Sequence, residues 1–123
     1  MVPVKPAALH HVSINVDDVD AALAFYVGAL GLEVRTDRPA LDFGGAWLGV
    51  GGQQVHLIEA ARVPDQGQHF ALAVDDLAAA VRELRGRGLE VSEPTAVGTS
   101  LQAFVSDPAG NLVELHQPGA RPA

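Results

Sequence analysis

The chain has 123 residues, of which 48% are apolar and 19% charged, and this ordinary globular composition argues against disorder. Its formal net charge of −7 disfavours a nucleic-acid partner, and the lack of cysteine excludes disulfides and thiolate metal ligands. No apolar run is long enough for a membrane span and the first residues do not resemble a signal peptide, so we expect a cytoplasmic protein with no membrane partner.

The first half of the chain is predicted to form a strand, a helix and three more strands. Residues 9–16 alternate apolar and polar side chains, which indicates a strand, and Asp17 and Asp18 suit the start of the helix that follows. That helix is expected to end at Gly31, because glycine is favoured just past a helix C-terminus. The remaining strands are predicted at 32–36, 46–50 and 54–59, the last two as a hairpin.

The second half repeats this order. A strand is predicted over residues 68–74, and Asp75 and Asp76 begin a helix that ends in the segment 86–88, where two glycines lie. The polar join at 62–67 is typical of a boundary between modules. The remaining strands are predicted at 89–92, 102–106 and 111–117, with the segments 36–45 and 93–100 as loops around a pocket.

The repeat carries side chains that can bind a metal ion. His11 recurs as His69, and His56 recurs as Glu114, each pair 58 positions apart. Duplicated modules tend to pack about a pseudo-two-fold axis, which would bring the four groups together. Three imidazoles and one carboxylate suit a divalent ion such as Zn, Ni, Mn or Fe. The sequence therefore predicts a metal site formed by these four residues.

Strand phase supports this choice of ligands. His11 is out of phase with the apolar residues at 12, 14 and 16, and His56 and Glu114 each lie between two apolar residues. The candidate ligands therefore project to the face opposite their apolar neighbours, which can line a metal pocket if the sheet curls. His10 is expected on the face opposite His11 and is interpreted as structural. His116 shares the face of Glu114 and is interpreted as an exposed histidine at a strand end, with a place behind Glu114 as the alternative.

These residues resemble the vicinal oxygen chelate superfamily, which includes glyoxalase I, methylmalonyl-CoA epimerase, extradiol dioxygenases and bleomycin-resistance proteins. The resembling segments cover nearly the whole chain and are residues 10–18, 25–26, 30–32, 68–75 and 107–115. The resemblance implies His11, His69 and Glu114 as metal ligands. It places His56 where glyoxalase I has glutamate and the epimerase has glutamine, and histidine is itself a good ligand.

The resemblance also implies an α+β fold. Residues 1–123 are expected to form a single domain of two β-α-β-β-β modules, at about 8–60 and about 68–117, joined in a curved mixed sheet around the metal pocket. Modules of this superfamily often pair across subunits, so a homodimer is expected. The site then forms either within one chain or from His11 and His56 of one chain with His69 and Glu114 of the other.

Three functions are compatible with these residues. The favoured one is a metal-dependent lyase or isomerase of glyoxalase type, in which a small substrate chelates the metal through vicinal oxygens and Glu114 is the general base. The alternative is an Fe(II)-dependent ring-cleaving dioxygenase, with His56 as catalytic acid or base. The third is a non-catalytic antibiotic-binding resistance protein, against which the complete ligand set argues.

Overall fold

The protein is described by a computed structural model covering residues 2–121. These residues form two compact units that divide between Ala61 and Arg62, at the start of the polar segment predicted as a module boundary. Residues 1, 122 and 123 of the predicted single domain lie outside the described residues. That the two units belong to a single domain stays a prediction.

The first unit follows the predicted order of elements. They are β1 (His11–Val16), α1 (Val19–Leu23) with a π-helical continuation (Ala24–Ala29), β2 (Glu33–Val34), β3 (Gly45–Val50) and β4 (Gln53–Glu59). The strand order in the sheet is β1-β4-β3-β2, with β1 parallel to β4 and the other neighbours antiparallel. The carboxylate of Asp18 accepts a hydrogen bond from the N–H of Ala21 at 3.0 Å, which confirms the predicted helix start.

The second unit repeats the order with different bounds. Its elements are β5 (His69–Ala73), α2 (Leu77–Gly86), β6 (Thr95–Val97), β7 (Ser100–Ser106) and β8 (Leu112–Gln117). The strand order is β5-β8-β7-β6, with β5 parallel to β8 and the other neighbours antiparallel. Asp76 caps α2 by accepting a hydrogen bond from the N–H of Ala79 at 3.0 Å, as predicted.

The third element of the second unit was predicted in the wrong place. The expected strand at 89–92 is reduced to a single bridge between Val91 and Val105, and the strand β6 lies inside the predicted loop 93–100. The physical reason is a tight hairpin: Val97 pairs with Ser100, and Gly98 adopts a positive φ of 57° in the two-residue turn between them.

The α+β class and the two β-α-β-β-β modules are confirmed. The strands hydrogen-bond as two separate four-stranded sheets, where the prediction had one curved sheet. In each unit, one sheet face is apolar and buried, and α1 packs on β4 while α2 packs on β7 and β8. The candidate ligands lie on the other face. Among residues 2–121, no helix has the length and apolar character needed to cross a membrane.

Candidate functional site

His11 and His56 are neighbours on the polar face of the first sheet. His11 lies opposite Gln54 in the parallel register of β1 and β4, and the two imidazole rings stack with centroids 3.9 Å apart and planes 13° apart. Trp47 lies opposite His56 on β3, and its ring also stacks on His56, at 4.4 Å and 7°. Because β4 runs between β1 and β3, the His56 ring lies between the other two, and the residue is only 8% exposed.

A hydrogen bond fixes the orientation of the His56 ring. His56 donates from Nε2 to Oε1 of Gln54 at 2.8 Å, which leaves its Nδ1 as the unprotonated nitrogen of a neutral ring. Burial lowers the pKa of His56, and the nearby His11, His10 and Arg35 lower it further. A metal ligand must be a neutral imidazole, so this environment favours the form that can bind a metal.

His10 is placed differently from the prediction. Its Nδ1 lies 2.8 Å from Nδ1 of His11, within hydrogen-bond distance, and the two rings meet edge to face at 5.1 Å. His10 was expected on the face opposite His11, but the two rings are in contact, because both side chains are exposed at the start of a terminal strand and can turn towards each other. His10 therefore sets the orientation of the His11 ring.

His69 and Glu114 meet on the polar face of the second sheet. The Nε2 of His69 lies 3.1 Å from Oε1 of Glu114, and Glu114 is 8% exposed. The Nδ1 of His69 donates to the carbonyl oxygen of Gly67 at 2.9 Å, and Phe104 contacts the His69 ring edge to face at 5.2 Å. The hydrogen bond to Gly67 raises the pKa of His69, and the hydrogen bond and charge of Glu114 raise it further against the opposing effect of burial.

His116 also contacts Glu114. Its Nδ1 lies 2.8 Å from Oε2 of Glu114, and its side chain is 31% exposed. The interpretation of His116 as a merely exposed strand-end histidine was therefore wrong, and the alternative place behind Glu114 is the one observed. Each carboxylate oxygen of Glu114 thus has its own histidine partner.

Three residues beside the candidate ligands were not predicted from the sequence. Trp47 and Phe104 are 57 positions apart in the repeat and lie opposite His56 and Glu114 in their sheets. Gln54 shares a face with His56 because it is two residues before it on the same strand. Continuing the repeat and the strand alternation beyond the candidate ligands would have found all three.

A cavity of about 610 Å³ lies in the first unit and one of about 540 Å³ in the second. The first is lined by the segment 30–37 and residues 49–51, where Arg35 and Asp37 form a two-pronged ion pair at 2.9 Å. This pair lowers the pKa of Asp37 and raises that of Arg35. Phe104, which contacts the His69 ring, is one of the residues that line the second cavity, and His69 is not among them.

The four candidate ligands are described as two pairs, one in each unit. Within residues 2–121, no group of three or more histidine, aspartate and glutamate side chains is arranged to hold a metal ion. The donor chemistry nevertheless fits one: His56 is buried and favours the neutral form, Glu114 is buried, and all four have hydrogen-bond partners that orient them. The four-ligand set stays a prediction.

Comparison with known proteins finds similar sequences. A Synechocystis sp. protein named "probable lactoylglutathione lyase" is 32% identical over 127 residues, covering 92% of this chain and 97% of that protein. The Arabidopsis thaliana protein named "probable lactoylglutathione lyase, chloroplastic" is 30% identical over 126 residues. The match covers 91% of this chain and only 36% of the plant protein, so the chain spans about a third of the length of that relative.

Solved structures share the fold along nearly the whole chain. A lactoylglutathione lyase from Agrobacterium tumefaciens has a TM-score of 0.74 and 25% identity, covering 93% of this chain and 96% of that one. TnmS3, an antibiotic binding protein from Streptomyces sp. CB03234, has a TM-score of 0.81 and 26% identity, covering 94% and 99%.

The family model described as Glyoxalase/Bleomycin resistance protein/Dioxygenase superfamily matches residues 8–115. This match includes all of the strands that carry His11, His56 and His69, and it reaches past Glu114 on β8. Proteins similar to this chain along nearly its whole length carry lyase and antibiotic-binding names. The chain therefore belongs to the glyoxalase, bleomycin resistance protein and dioxygenase superfamily.

Proposed function

We propose that this protein is a metal-dependent lyase of glyoxalase type that acts on a small substrate with two neighbouring oxygen atoms. The observation that carries the proposal is Glu114, a buried carboxylate that is 8% exposed and bonded to a different histidine at each oxygen. A carboxylate positioned in this way can accept a proton and return it. Further support comes from the Synechocystis relative, which carries a lyase name and aligns with this chain over nearly the whole length of both proteins.

The proposed metal ligands are His11, His56, His69 and Glu114. When bound, a divalent ion supplies a Lewis acid that two vicinal substrate oxygens can chelate and that stabilises negative charge developing on the substrate. His56 would ligate through Nδ1, because its Nε2–H donates to Gln54. His69 would ligate through Nε2, because its Nδ1–H donates to the carbonyl oxygen of Gly67.

Glu114 is the proposed general base. Its Oε2 is held by His116, so Oε1 is the oxygen that removes a proton from the substrate carbon and returns it. A general base is effective only while it is held within reach of the proton that it removes. Glu114 is 8% exposed on a sheet face, so its carboxylate has little freedom to turn into solvent. Such a positioned base typically contributes about 10²–10⁴-fold to a rate.

Trp47 and Phe104 would limit the access of water to the site. Trp47 covers one face of the His56 ring, and the rings of Phe104 and His69 meet edge to face. Excluding water strengthens the electrostatic interactions of the buried groups and protects a reactive carbanion-like centre from side reactions.

The test is reconstitution of the metal-free protein. Protein stripped with a chelator is loaded with Zn, Ni, Mn or Fe(II), and elemental analysis should find about one ion per chain, as four ligands imply. Exchange of a carbon-bound proton into deuterated water is then followed for hemithioacetals and for 2-oxo and 2-hydroxy acyl compounds. No uptake of any of these ions would overturn the proposal, and oxygen consumption by the Fe(II) form with a catechol would replace it with dioxygenase chemistry.

A second candidate function is antibiotic binding without turnover. Two observations favour it: the high structural similarity to TnmS3, with a TM-score of 0.81, and the half-buried Trp47 ring, which stacks on His56 with one face and can offer the other to an aromatic ligand. Quenching of the fluorescence of Trp47, the one tryptophan of the chain, by aromatic antibiotics should then occur in the metal-free protein. Quenching together with metal-dependent proton exchange would favour the lyase instead.

A further inference from the structure

We propose that His116 is a positioning residue that assigns the two oxygens of Glu114 to different tasks. The proposal rests on the proposed function. Its basis is the geometry of one carboxylate between two imidazoles: Nδ1 of His116 lies 2.8 Å from Oε2, and Nε2 of His69 lies 3.1 Å from Oε1. Glu114 is thus held on both sides, by one histidine that is a proposed metal ligand and one that is not.

The two histidine contacts have different fates when the site is loaded. A His69 that ligates through Nε2 gives up its hydrogen bond to Oε1 of Glu114, since the same nitrogen makes both. His116 lies on β8 two residues beyond Glu114, and its bond to Oε2 needs no such exchange. His116 therefore keeps Glu114 oriented in both forms of the protein and leaves Oε1 free to ligate or to move the proton.

The strength expected of this contact agrees with such a role. A short N–H···O bond to an ionised carboxylate is roughly twice as strong as a bond between neutral groups. The acceptor Glu114 is buried, with 10% of its side chain exposed, so water competes poorly for Oε2. Outer partners of metal ligands typically contribute about 10–100-fold to metal affinity by fixing the orientation of the ligand.

The arrangement is particular to the second unit. The position 58 residues before His116 is Ile58, whose side chain has no polar atom, and the partner of His56 is Gln54, two residues before it on β4. His116 is thus not a by-product of the repeat. Its neighbours across the sheet are Ala73 on β5 and Gln102 on β7.

The experiment compares two substitutions of His116. His116→Asn keeps an N–H donor near the position of Nδ1 on a side chain that does not titrate, and His116→Leu removes the donor while filling similar space. Gln102→Leu is the matched control, because it also replaces a polar residue by leucine on the same sheet face, directly opposite His116. Thermal unfolding of each metal-free variant shows that it is folded.

Metal affinity is measured by competition with a chelating dye, and proton exchange is measured separately. His116→Leu should lose about 10–100-fold in affinity, while His116→Asn and Gln102→Leu should stay close to the wild type. A folded His116→Leu with wild-type affinity, or a His116→Asn as weak as His116→Leu, would overturn the positioning role and leave the lyase proposal intact. A wild-type protein that binds no metal would overturn both.

Discussion

His69 donates a hydrogen bond from Nε2 to Oε1 of Glu114 over 3.1 Å, while its Nδ1 donates to the carbonyl oxygen of Gly67. An imidazole that donates from both nitrogens carries a positive charge, which agrees with its raised pKa. His56 favours the neutral form instead, because burial lowers its pKa. Its ring is held between those of His11 and Trp47. The protein therefore holds one histidine that favours the charged form and one that favours the neutral form.

These opposite shifts predict opposite effects of pH on two variants of the metal-free protein. The raised pKa of His69 stabilises the fold below about pH 6.5, and this stabilisation is lost as the pH rises through the folded-state pKa. The lowered pKa of His56 costs stability as the pH falls below the same value, because the unfolded state then binds more protons.

We therefore expect His69→Gln to destabilise the protein more at acidic pH than at alkaline pH, and His56→Gln to do the reverse. The free energy of unfolding is measured by urea titration at about pH 5 and about pH 8, on either side of the unperturbed histidine pKa. An equal loss at both pH values for His69→Gln would show that its charge does not contribute to the fold.

His10 is expected to influence metal affinity through His11. The 2.8 Å contact between the two Nδ1 atoms needs one protonated and one unprotonated nitrogen, and the tautomer in which His11 donates to His10 leaves Nε2 of His11 free to ligate. His10→Ala should lower metal affinity by about 10-fold, and His10→Asn, whose amide oxygen can accept from His11, should lower it less. Equal affinities of His10→Ala and wild type in the dye competition would contradict this role.

The sequence predicted the fold well because its signals are local and occur twice. The helix starts at Asp18 and Asp76 follow from side chains that accept hydrogen bonds from nearby amides, and the strand phase of His56 follows from alternation with Val55 and Leu57. The strand β6 was missed because it has three residues and its pairing depends on a tight turn at Gly98 rather than on a long apolar pattern.

The contacts around the candidate ligands were harder to predict. Which histidine meets which acceptor depends on side-chain rotamers, and the exposed rings of His10 and His11 at the start of β1 turn towards each other. His116 was placed on the correct face, but its bond to Oε2 of Glu114 could be identified only from side-chain geometry. Sequence patterns specify faces of a sheet, and hydrogen-bond partners require coordinates.

Gly45 should be intolerant of a side chain. A Cβ at this position would overlap the backbone carbonyl oxygen of Leu57, whereas at Gly51, which also has a positive φ, it would meet no heavy atom within 4 Å. Gly51→Ala should cost about 1–2 kcal/mol from its left-handed backbone alone. Gly45→Ala should cost a further ~1–3 kcal/mol from overpacking. Urea midpoints that rank the two variants the other way would contradict the steric argument.

We expect the protein to form a dimer through the edge strands of its sheets. β2 and β6 are terminal strands in their sheets, and each exposes a valine: Val34 is 53% exposed and Val97 is 47% exposed. Light scattering should give about twice the chain mass of 12.8 kDa. Val34→Lys or Val97→Lys should weaken the dimer, and Val63→Lys, at a residue that is 45% exposed outside the strands, is the control. A wild-type mass of one chain would exclude the dimer.

Glu114→Gln separates the ligand role of Glu114 from its role as base. The amide oxygen can still ligate in the place of Oε1, whereas the NH₂ that replaces Oε2 cannot accept a hydrogen bond from His116, so metal affinity should fall by about 10–100-fold, as for the loss of an outer partner. The side chain can no longer take a proton, so exchange of the substrate's carbon-bound proton should fall by about 10²–10⁴-fold. Metal content and exchange are measured on the same sample, so that loss of the ion is not mistaken for loss of the base. Undiminished exchange in the metal-loaded variant would exclude Glu114 as the base and leave His56, buried and favouring its neutral form, as the residue to test next.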